Sequence, residues 1–295
     1  GRGGSCYPVA SGVYVIDDKL IEDTAAGKGG MEHPSNLGVQ LARELQKEFG
    51  GRIFMVDPPC VDELCDMARM TGIDGVPRHT NMHALNLRGV AMHHAKHVLG
   101  KKYEDCCFIV CHIDGGISVS AHRHGRIIDC NDAAGGDGPY TPTRIGSVSV
   151  ADILEYVRDK DIDEVKKLCT RTGGFVSHFG TSSSDAVHKM AEEGNKKAIR
   201  VWDGMKYQIV KYIGAMAAVL GGRVDGILLT GGLLRFEDIT QTIREQCEWI
   251  APVSTYPGEV EHEALAAGAL RVLRGEEEPK HYTGCPVWDG WHDEN

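Results

Sequence analysis

Two glycine pairs follow apolar segments in this chain, and each pair could form a turn whose backbone binds an anion. Gly115-Gly116 follows Asp114 between two short apolar runs, and Gly231-Gly232 ends the segment "VDGILLTGG". Successive glycines let backbone N–H groups converge on a phosphate. A plain tight turn explains each pair as well, and both alternatives stay open for either pair alone. Two such turns in one domain favour a phosphate site, whereas Asp114 argues against it because a carboxylate repels an adjacent anion.

Several cationic and acidic side chains suit phosphate chemistry. Arg144 lies in the segment "GPYTPTRIGS", and its fork fits a phosphate or carboxylate, although it can equally be a surface charge. Arg2, in "GRGG", has room for a ligand beside it, or it belongs to a frayed chain end. Asp57 closes the segment "RIFMVD", which suits either a metal-facing carboxylate or a helix cap. These positions are candidates for charge neutralisation.

Most of the fourteen histidines need no functional role. His33, His83 and His112 lie at the boundaries of predicted elements, where functional groups project. Three acids, Glu259, Glu261 and Glu263, crowd the start of the last predicted helix, where the helix dipole favours acids in any case. No H-E-x-x-H motif is present, so the sequence does not predict a zinc site of that type.

The elements that position these residues follow from apolar periodicity. "PSNLGVQLARELQKEFG" predicts a helix whose apolar positions are Leu37, Leu41 and Leu45, and "PCVDELCDMARM" predicts a helix that opens near a proline. Strands of roughly 107–113, 117–122 and 126–130 are joined by turns short enough to require antiparallel pairing. Later alternation of strands and helices predicts parallel pairing. The sheet is therefore expected to be mixed, within an α/β fold.

Composition excludes several classes of protein. The 295 residues include 32 basic and 42 acidic ones, a net charge of -10, which argues against a nucleic-acid-binding protein. No apolar run is long enough for a membrane helix, and the first residues do not resemble a signal peptide. Ten cysteines without a C-x-x-C pair predict structural thiols in a reducing, cytoplasmic compartment.

Seven motifs, in this order, resemble a known family. They are "EHPSNLG", "VDPPCVDEL", "MHALN", "HIDGGISV", "GPYTPTR", "LLTGG" and "YPGEVEHEALAAGALRVLRGEE". They are similar to the butyrate kinase and branched-chain fatty acid kinase family, related to acetate kinases in the actin/sugar-kinase superfamily. The resemblance runs from residue 1 to about 280. It implies two actin-like, ribonuclease-H-like domains with mixed sheets: 1–103 completed by the helix at about 259–275, then 104–258 as the nucleotide-binding domain, with 276–295 as a tail.

The resemblance also implies an activity: transfer of the γ-phosphoryl group of ATP, with Mg²⁺, to butyrate or a similar short-chain carboxylate. A carboxylate is already ionised, so the site must neutralise charge rather than supply a base. By motif, Arg144 stabilises the transferring group and Arg2 lies near the substrate carboxylate. His83 matches the histidine that hydrogen-bonds the transferring phosphate, and His33 matches another histidine of the pocket. The remaining implied residues are His112, Gly115, Gly116 and Ser118 for phosphate, Thr230, Gly231 and Gly232 for the adenosine end, and Asp57 and Glu261 for Mg²⁺.

Two departures from the family pattern leave an alternative open. The family begins with an Asn-Pro-Gly-Ser-type phosphate loop that this chain lacks, so the first domain is expected to be incomplete at its N-terminus, with strand edges uncovered. Asp114 stands where the family typically has glycine. The alternative is therefore a non-catalytic relative or fragment that keeps the fold for nucleotide binding or assembly. A homodimer, or assembly with a missing N-terminal piece, is a further expectation from the family.

Overall fold

A computed structural model gives the fold and describes residues 4, 6–30 and 34–291. Arg2 and His33, two of the predicted site residues, lie outside the described residues. The chain divides into two compact units: the first contains Gly1–Cys65, His83–Gly89 and Val260–Asn295, and the second contains Asp66–Met82 and Val90–Glu259. The domain boundaries expected from the sequence stay a prediction, and each unit is described by itself below.

The regular elements are numbered in chain order. The strands are β1 Val13–Val15, β2 Phe54–Val56, β3 Cys107–Ile113, β4 Ile117–Arg123, β5 Arg126–Cys130, β6 Gly226–Gly231 and β7 Val253–Pro257. The helices are α1 Asp18–Ala25, α2 Leu37–Phe49, α3 Asp66–Arg69, α4 Ala84–His94, α5 Val150–Tyr156, α6 Ile162–Thr170, α7 Gly174–Phe179, α8 Ser184–Glu192, α9 Lys196–Val219, α10 Glu237–Cys247 and α11 Glu261–Leu273. Among the described residues, no helix is both long and apolar enough to cross a membrane.

The first unit is built on a small antiparallel sheet of β1 and β2, in which Val13 pairs with Val56. Side chains alternate between the two faces of a strand. Tyr14 and Met55 therefore belong to one buried cluster, whereas Val13, Phe54 and Val56 belong to another. Both faces of this short sheet are covered by apolar side chains, so it has a core on each side.

Helix α2 forms where the periodicity predicts it, but its leucines do not enter the core. Leu37, Leu41 and Leu45 are 60%, 60% and 55% exposed, and Phe49 is 73% exposed. The buried residue of this helix is Val39, which packs in the same cluster as Leu20. The helical prediction is confirmed, and the leucines that mark its periodicity lie on the exposed face. Periodicity shows which residues share a face but not which face meets the core.

The helix predicted over "PCVDELCDMARM" is largely wrong. Only the four residues of α3 are helical in this segment. Residues before them instead pair with the backbone of Val9: Val9 N donates to Cys60 O at 3.2 Å, and Asp62 N donates to Val9 O at 2.8 Å. Val61 thereby forms a parallel bridge with Val9. Tertiary pairing of the backbone has overridden a local helical pattern.

Helix α11 packs closely on the small sheet and on α4 because glycines remove side-chain bulk. A Cβ added at Gly268 would lie 2.7 Å from Val56 Cγ1, and one added at Gly89 would lie 2.9 Å from Ala264 Cβ. The chain after α11 also packs on this unit. Lys280 N donates to Val13 O at 2.7 Å. Tyr282 is buried in the same cluster as Tyr14.

The second unit has a mixed five-stranded sheet in the order β5-β4-β3-β6-β7. Strands β3, β4 and β5 form the predicted antiparallel meander, with a register shift between Ala121 and His122. Strands β6 and β7 continue the sheet in parallel with β3. The long helix α9 packs against β4, β3 and β5. The predicted strands, their direction and the mixed sheet are confirmed.

Candidate functional site

The carboxyl ends of three parallel strands meet at one edge of the second unit's sheet. In register, His112 of β3 lies beside Thr230 of β6, and Thr230 lies beside Tyr256 of β7. Ligands of open α/β sheets gather at the carboxyl ends of the strands. The two glycine turns leave the sheet at this edge, since β3 runs into Asp114 and β6 ends at Gly231. The sequence-predicted turns are thus brought together.

Gly231 allows the two turns to approach each other. Its φ of +110° is a conformation that residues with side chains rarely adopt, and an added Cβ would collide with the carbonyl of Ile113. Its N–H donates to Gly258 O at 2.8 Å. The Thr230 hydroxyl donates to the same carbonyl at 2.9 Å. These contacts fix the backbone that follows β7, just before Glu259.

Asp114 bridges the two glycine turns through its carboxylate. Oδ1 accepts from Gly115 N at 2.7 Å, and Oδ2 accepts from Gly232 N at 2.7 Å. The Asp114 carboxylate therefore occupies two backbone amides of the turns that were predicted to bind phosphate. Hydrogen bonds from N–H groups stabilise a charged carboxylate. The residue that departs from the family pattern thus has a defined structural role in this turn.

Arg144 lies directly over the first glycine turn. A Cβ added at Gly116 would lie 2.6 Å from Arg144 Nη1, so only glycine allows this approach. The Arg144 Nη1 group also donates to the carbonyl of Ala133. Thr141 and Thr143 hydroxyls donate to Gly115 O at 2.7 and 3.3 Å, which ties the loop to the turn. The structure thus places the Arg144 guanidinium beside the first glycine turn.

The electrostatic environment of Arg144 favours an anion. Burial lowers the pKa of this guanidinium, and Asp132 opposes the shift. An arginine nevertheless stays protonated at neutral pH. Its Nε is buried and has no hydrogen-bond partner among the residues that the structure describes. A cation whose donors are incompletely satisfied, beside a glycine turn, fits the phosphate groups of a nucleotide.

The loop that carries Arg144 is shaped by two side chains that the sequence analysis missed. Asn131 is buried; its Oδ1 accepts from Val119 N at 2.7 Å and its Nδ2 donates to Ile117 O at 3.0 Å. Asp132 Oδ1 accepts from Asn81 N at 3.1 Å and from Ala134 N at 3.2 Å. The signal was an Asn-Asp pair directly after a strand, where such side chains satisfy turn amides.

His112 and Ser118 are buried at the base of the same edge and are paired in register across β3 and β4. His112 Nε2 lies 3.8 Å from Glu259 Oε1. Glu259 was noted in the sequence only as one of three acids near a helix start. The structure brings it to a histidine from a distant strand, a proximity that no local pattern could indicate.

In the first unit, Asp57 forms a buried ion pair. Its Oδ1 accepts from Gly12 N at 2.7 Å and lies 3.0 Å from Arg88 Nε. Burial raises the pKa of Asp57, and the Arg88 guanidinium opposes that shift. Asp57 also has a φ of 38°, which is uncommon for a residue with a side chain. Oδ1 thus has one amide donor and an adjacent guanidinium, so a cation bound at Asp57 would have to share the carboxylate with Arg88.

The other predicted residues of the first unit lie at helix starts. The His83 carbonyl accepts from Leu87 N at 3.0 Å at the beginning of α4. Glu261 opens α11, and Asn86 Oδ1 accepts from the preceding Val260 N at 3.1 Å. Both helix starts are therefore fixed by hydrogen bonds within this unit.

Comparisons with known proteins identify relatives of this chain. Residues 76–254 match the model of the acetokinase family. A probable butyrate kinase of Clostridium botulinum is 43% identical over 284 residues, which cover 96% of this chain and 79% of that protein. A probable butyrate kinase of Listeria monocytogenes is 45% identical with the same coverage of both chains.

Solved structures show the same fold. An acetate kinase of Porphyromonas gingivalis matches with a TM-score of 0.77 at 21% identity, over 90% of this chain and 75% of that one. A propionate kinase of Francisella tularensis matches with a TM-score of 0.73 at 16% identity, over 90% and 76% of the two chains. These matches show that this chain shares its fold with these two kinases.

Proposed function

Because this chain belongs to the acetokinase family, we propose that it transfers the γ-phosphoryl group of ATP to a short-chain carboxylate, with butyrate as the first candidate. The products are an acyl phosphate and ADP. The observation that carries the proposal is the Arg144 guanidinium packed against the Gly115-Gly116 turn at the carboxyl ends of three parallel strands. Relatives above 40% identity that are named butyrate kinases support the choice of acceptor.

The chemistry needs charge neutralisation and alignment. An oxygen of the ionised carboxylate attacks the γ-phosphorus, and the bond from that phosphorus to the oxygen bridging it to the β-phosphate breaks. Arg144 supplies a positive charge beside the turn, where charge builds on the transferring group. Gly116 keeps that charge within reach because it has no side chain. Mg²⁺, when bound, neutralises phosphate charge.

The remaining site residues are part of the proposal. Gly115, Gly116, His112 and Ser118 are proposed at the phosphates, and Thr230, Gly231 and Gly232 toward the adenosine end. His83, Arg2 and His33 are proposed to face the acceptor and the transferring group, and Asp57 and Glu261 to face Mg²⁺. We further propose a cytoplasmic location and a homodimer, or assembly with an N-terminal piece.

A second candidate is a relative that binds nucleotide without catalysis. The observation that favours it is Asp114, whose carboxylate already binds Gly115 N and Gly232 N. A nucleotide phosphate at these amides would meet a like charge, which costs binding energy. In this reading the fold serves nucleotide binding or assembly.

One assay separates the two candidates. The chain is incubated with MgATP, butyrate and hydroxylamine, which traps acyl phosphate as hydroxamate. We expect hydroxamate from the unaltered chain, a decrease of about 10³-fold or more in Arg144→Ala, and no change in Arg158→Ala, an exposed arginine that pairs with Glu155. The non-catalytic candidate would be supported if the unaltered chain binds ATP without forming hydroxamate and the Asp114→Gly variant forms hydroxamate. Equal turnover by the two arginine variants would refute the assigned role of Arg144.

A further inference from the structure

We propose that His112, Asp114 and Glu259 bind a divalent transition-metal ion of the Mn²⁺ type. Each residue offers one ligand atom, and these three atoms lie within 4.8 Å of one another. Among the residues that the structure describes, this is the one group of at least three such side chains that meets that distance. The ligands come from the ends of β3 and β7 and from the first glycine turn, so the sheet edge itself assembles them.

The donor set decides the kind of metal. One imidazole nitrogen and two carboxylates form a mixed nitrogen and oxygen set. Imidazole suits transition ions such as Zn²⁺, and carboxylates suit Mn²⁺ and Mg²⁺. Mg²⁺ prefers oxygen ligands in octahedral geometry and keeps several waters. A site with one histidine and two carboxylates therefore favours Mn²⁺ over Mg²⁺, and two carboxylates balance the charge of a dication.

The surroundings hold the ligands in place. Each oxygen of Asp114 accepts one amide N–H, and a carboxylate oxygen has a second lone pair for a metal. The backbone before Glu259 is fixed because Gly258 O accepts from the Thr230 hydroxyl and from Gly231 N. Such outer contacts orient the ligands of metal sites.

The site is also accessible from one side. The side chain of His112 is 1% exposed and that of Glu259 is 47% exposed. A buried nitrogen at the base and an exposed carboxylate at the mouth leave room for solvent ligands, which a phosphate oxygen can replace. Without metal, the Asp114 carboxylate would repel a nucleotide phosphate. With metal, Asp114 is a ligand of the cation, and the cation attracts the phosphate. This last step rests on the proposed function, whereas metal binding does not.

The test measures Mn²⁺ alone, without nucleotide, by the electron paramagnetic resonance signal of the free ion. Loss of an outer contact of a metal site typically weakens binding by about 10- to 100-fold, so loss of a direct ligand should weaken it at least as much. We expect one Mn²⁺ per chain, binding weakened by at least 10-fold in Glu259→Gln and Asp114→Asn, and unchanged binding in Glu248→Gln, an exposed acid elsewhere in the second unit. Glu259 is exposed, so its variant should fold.

Three results overturn the inference: no Mn²⁺ binding by the unaltered chain, equal binding by Glu259→Gln, or displacement of Mn²⁺ by Mg²⁺ at equal concentrations. A parallel measurement of hydroxamate formation keeps the two proposals apart. Turnover with MgATP that survives in a chain without Mn²⁺ binding would overturn the metal site and leave the kinase proposal standing. Mn²⁺ binding that Glu259→Gln weakens, in a chain without hydroxamate formation, would support the metal site and count against catalysis.

Discussion

Adding one methyl group at Gly116 should disable catalysis without unfolding the protein. In Gly116→Ala, the new Cβ would lie 2.6 Å from Arg144 Nη1, 2.8 Å from Cζ and 3.0 Å from Nη2. Non-bonded carbon contacts are normally about 3.5–4.0 Å, so the guanidinium must retreat by roughly 1 Å. A displacement of about 1 Å at a reacting group can lower turnover by about 10²-fold. This corresponds to about 2.7 kcal/mol of transition-state stabilisation.

The fold should tolerate this change because the collision is with the far end of a flexible side chain. Gly116 does not have a left-handed φ, so alanine fits its backbone. We expect the free energy of unfolding in urea to change by no more than about 1 kcal/mol. The kcat for acyl phosphate formation, measured by hydroxamate trapping, should fall by about 10²-fold.

Gly115→Ala is the matched comparison. It adds the same methyl group one residue earlier, where no described atom lies within 4 Å of the new Cβ. Because Gly115 belongs to the proposed phosphate turn, its substitution should raise the KM for ATP rather than displace Arg144. If Gly116→Ala keeps the kcat of the unaltered chain, or if both variants lose kcat equally, the contact between Arg144 and this turn does not position the catalytic charge.

Two further predictions concern buried polar groups. Arg88→Met should lower the free energy of unfolding in urea by about 3–5 kcal/mol, because it leaves the Asp57 carboxylate buried without its cation. Adding Asp57→Asn to the same chain should recover part of this loss. An unchanged unfolding midpoint for Arg88→Met would show that the ion pair does not stabilise the fold. Burial raises the pKa of Tyr140 to about 12, and its hydroxyl donates to Val201 O at 2.6 Å. Its contribution to stability should be complete below pH about 10 and should disappear as the pH rises through about 12. In an ultraviolet titration, Tyr140→Phe should lose a phenol that ionises near pH 12; loss of a phenol that ionises near pH 10 instead would contradict the shift.

The second unit could be predicted from the sequence in more detail than the first. Three of its strands, β3, β4 and β5, are runs of five to seven residues separated by Asp-Gly-Gly and His-Gly turns, so their pairing partners are neighbours in the chain. The first unit has strands of only three residues, and its sheet depends on contacts between distant segments. The segment around Val61 is an example: its sequence pattern predicts a helix, but its backbone pairs with the distant Val9 instead.

The site could be predicted only as far as residue type and strand order allow. Gly115, Gly116 and Arg144 were identified because glycine turns and an arginine loop are local signals. The contact of Gly232 N with Asp114 and the approach of Glu259 to His112 were not, because each joins separate strand ends. The sheet edge that brings the two glycine turns together therefore also contains contacts between distant segments, which local sequence patterns do not indicate.

The exposed face of α2 has a consequence for how the protein behaves in solution. Leu37, Leu41, Leu45 and Phe49 recur at every fourth position and contribute little to the buried core. Their replacement by charged residues should therefore leave the unfolding midpoint nearly unchanged, since exposed sites contribute little to stability. The same replacements remove an apolar stripe of the kind that promotes association between protein molecules. The buried Val39 supports the fold, whereas we expect the exposed leucines to influence association between molecules in concentrated samples.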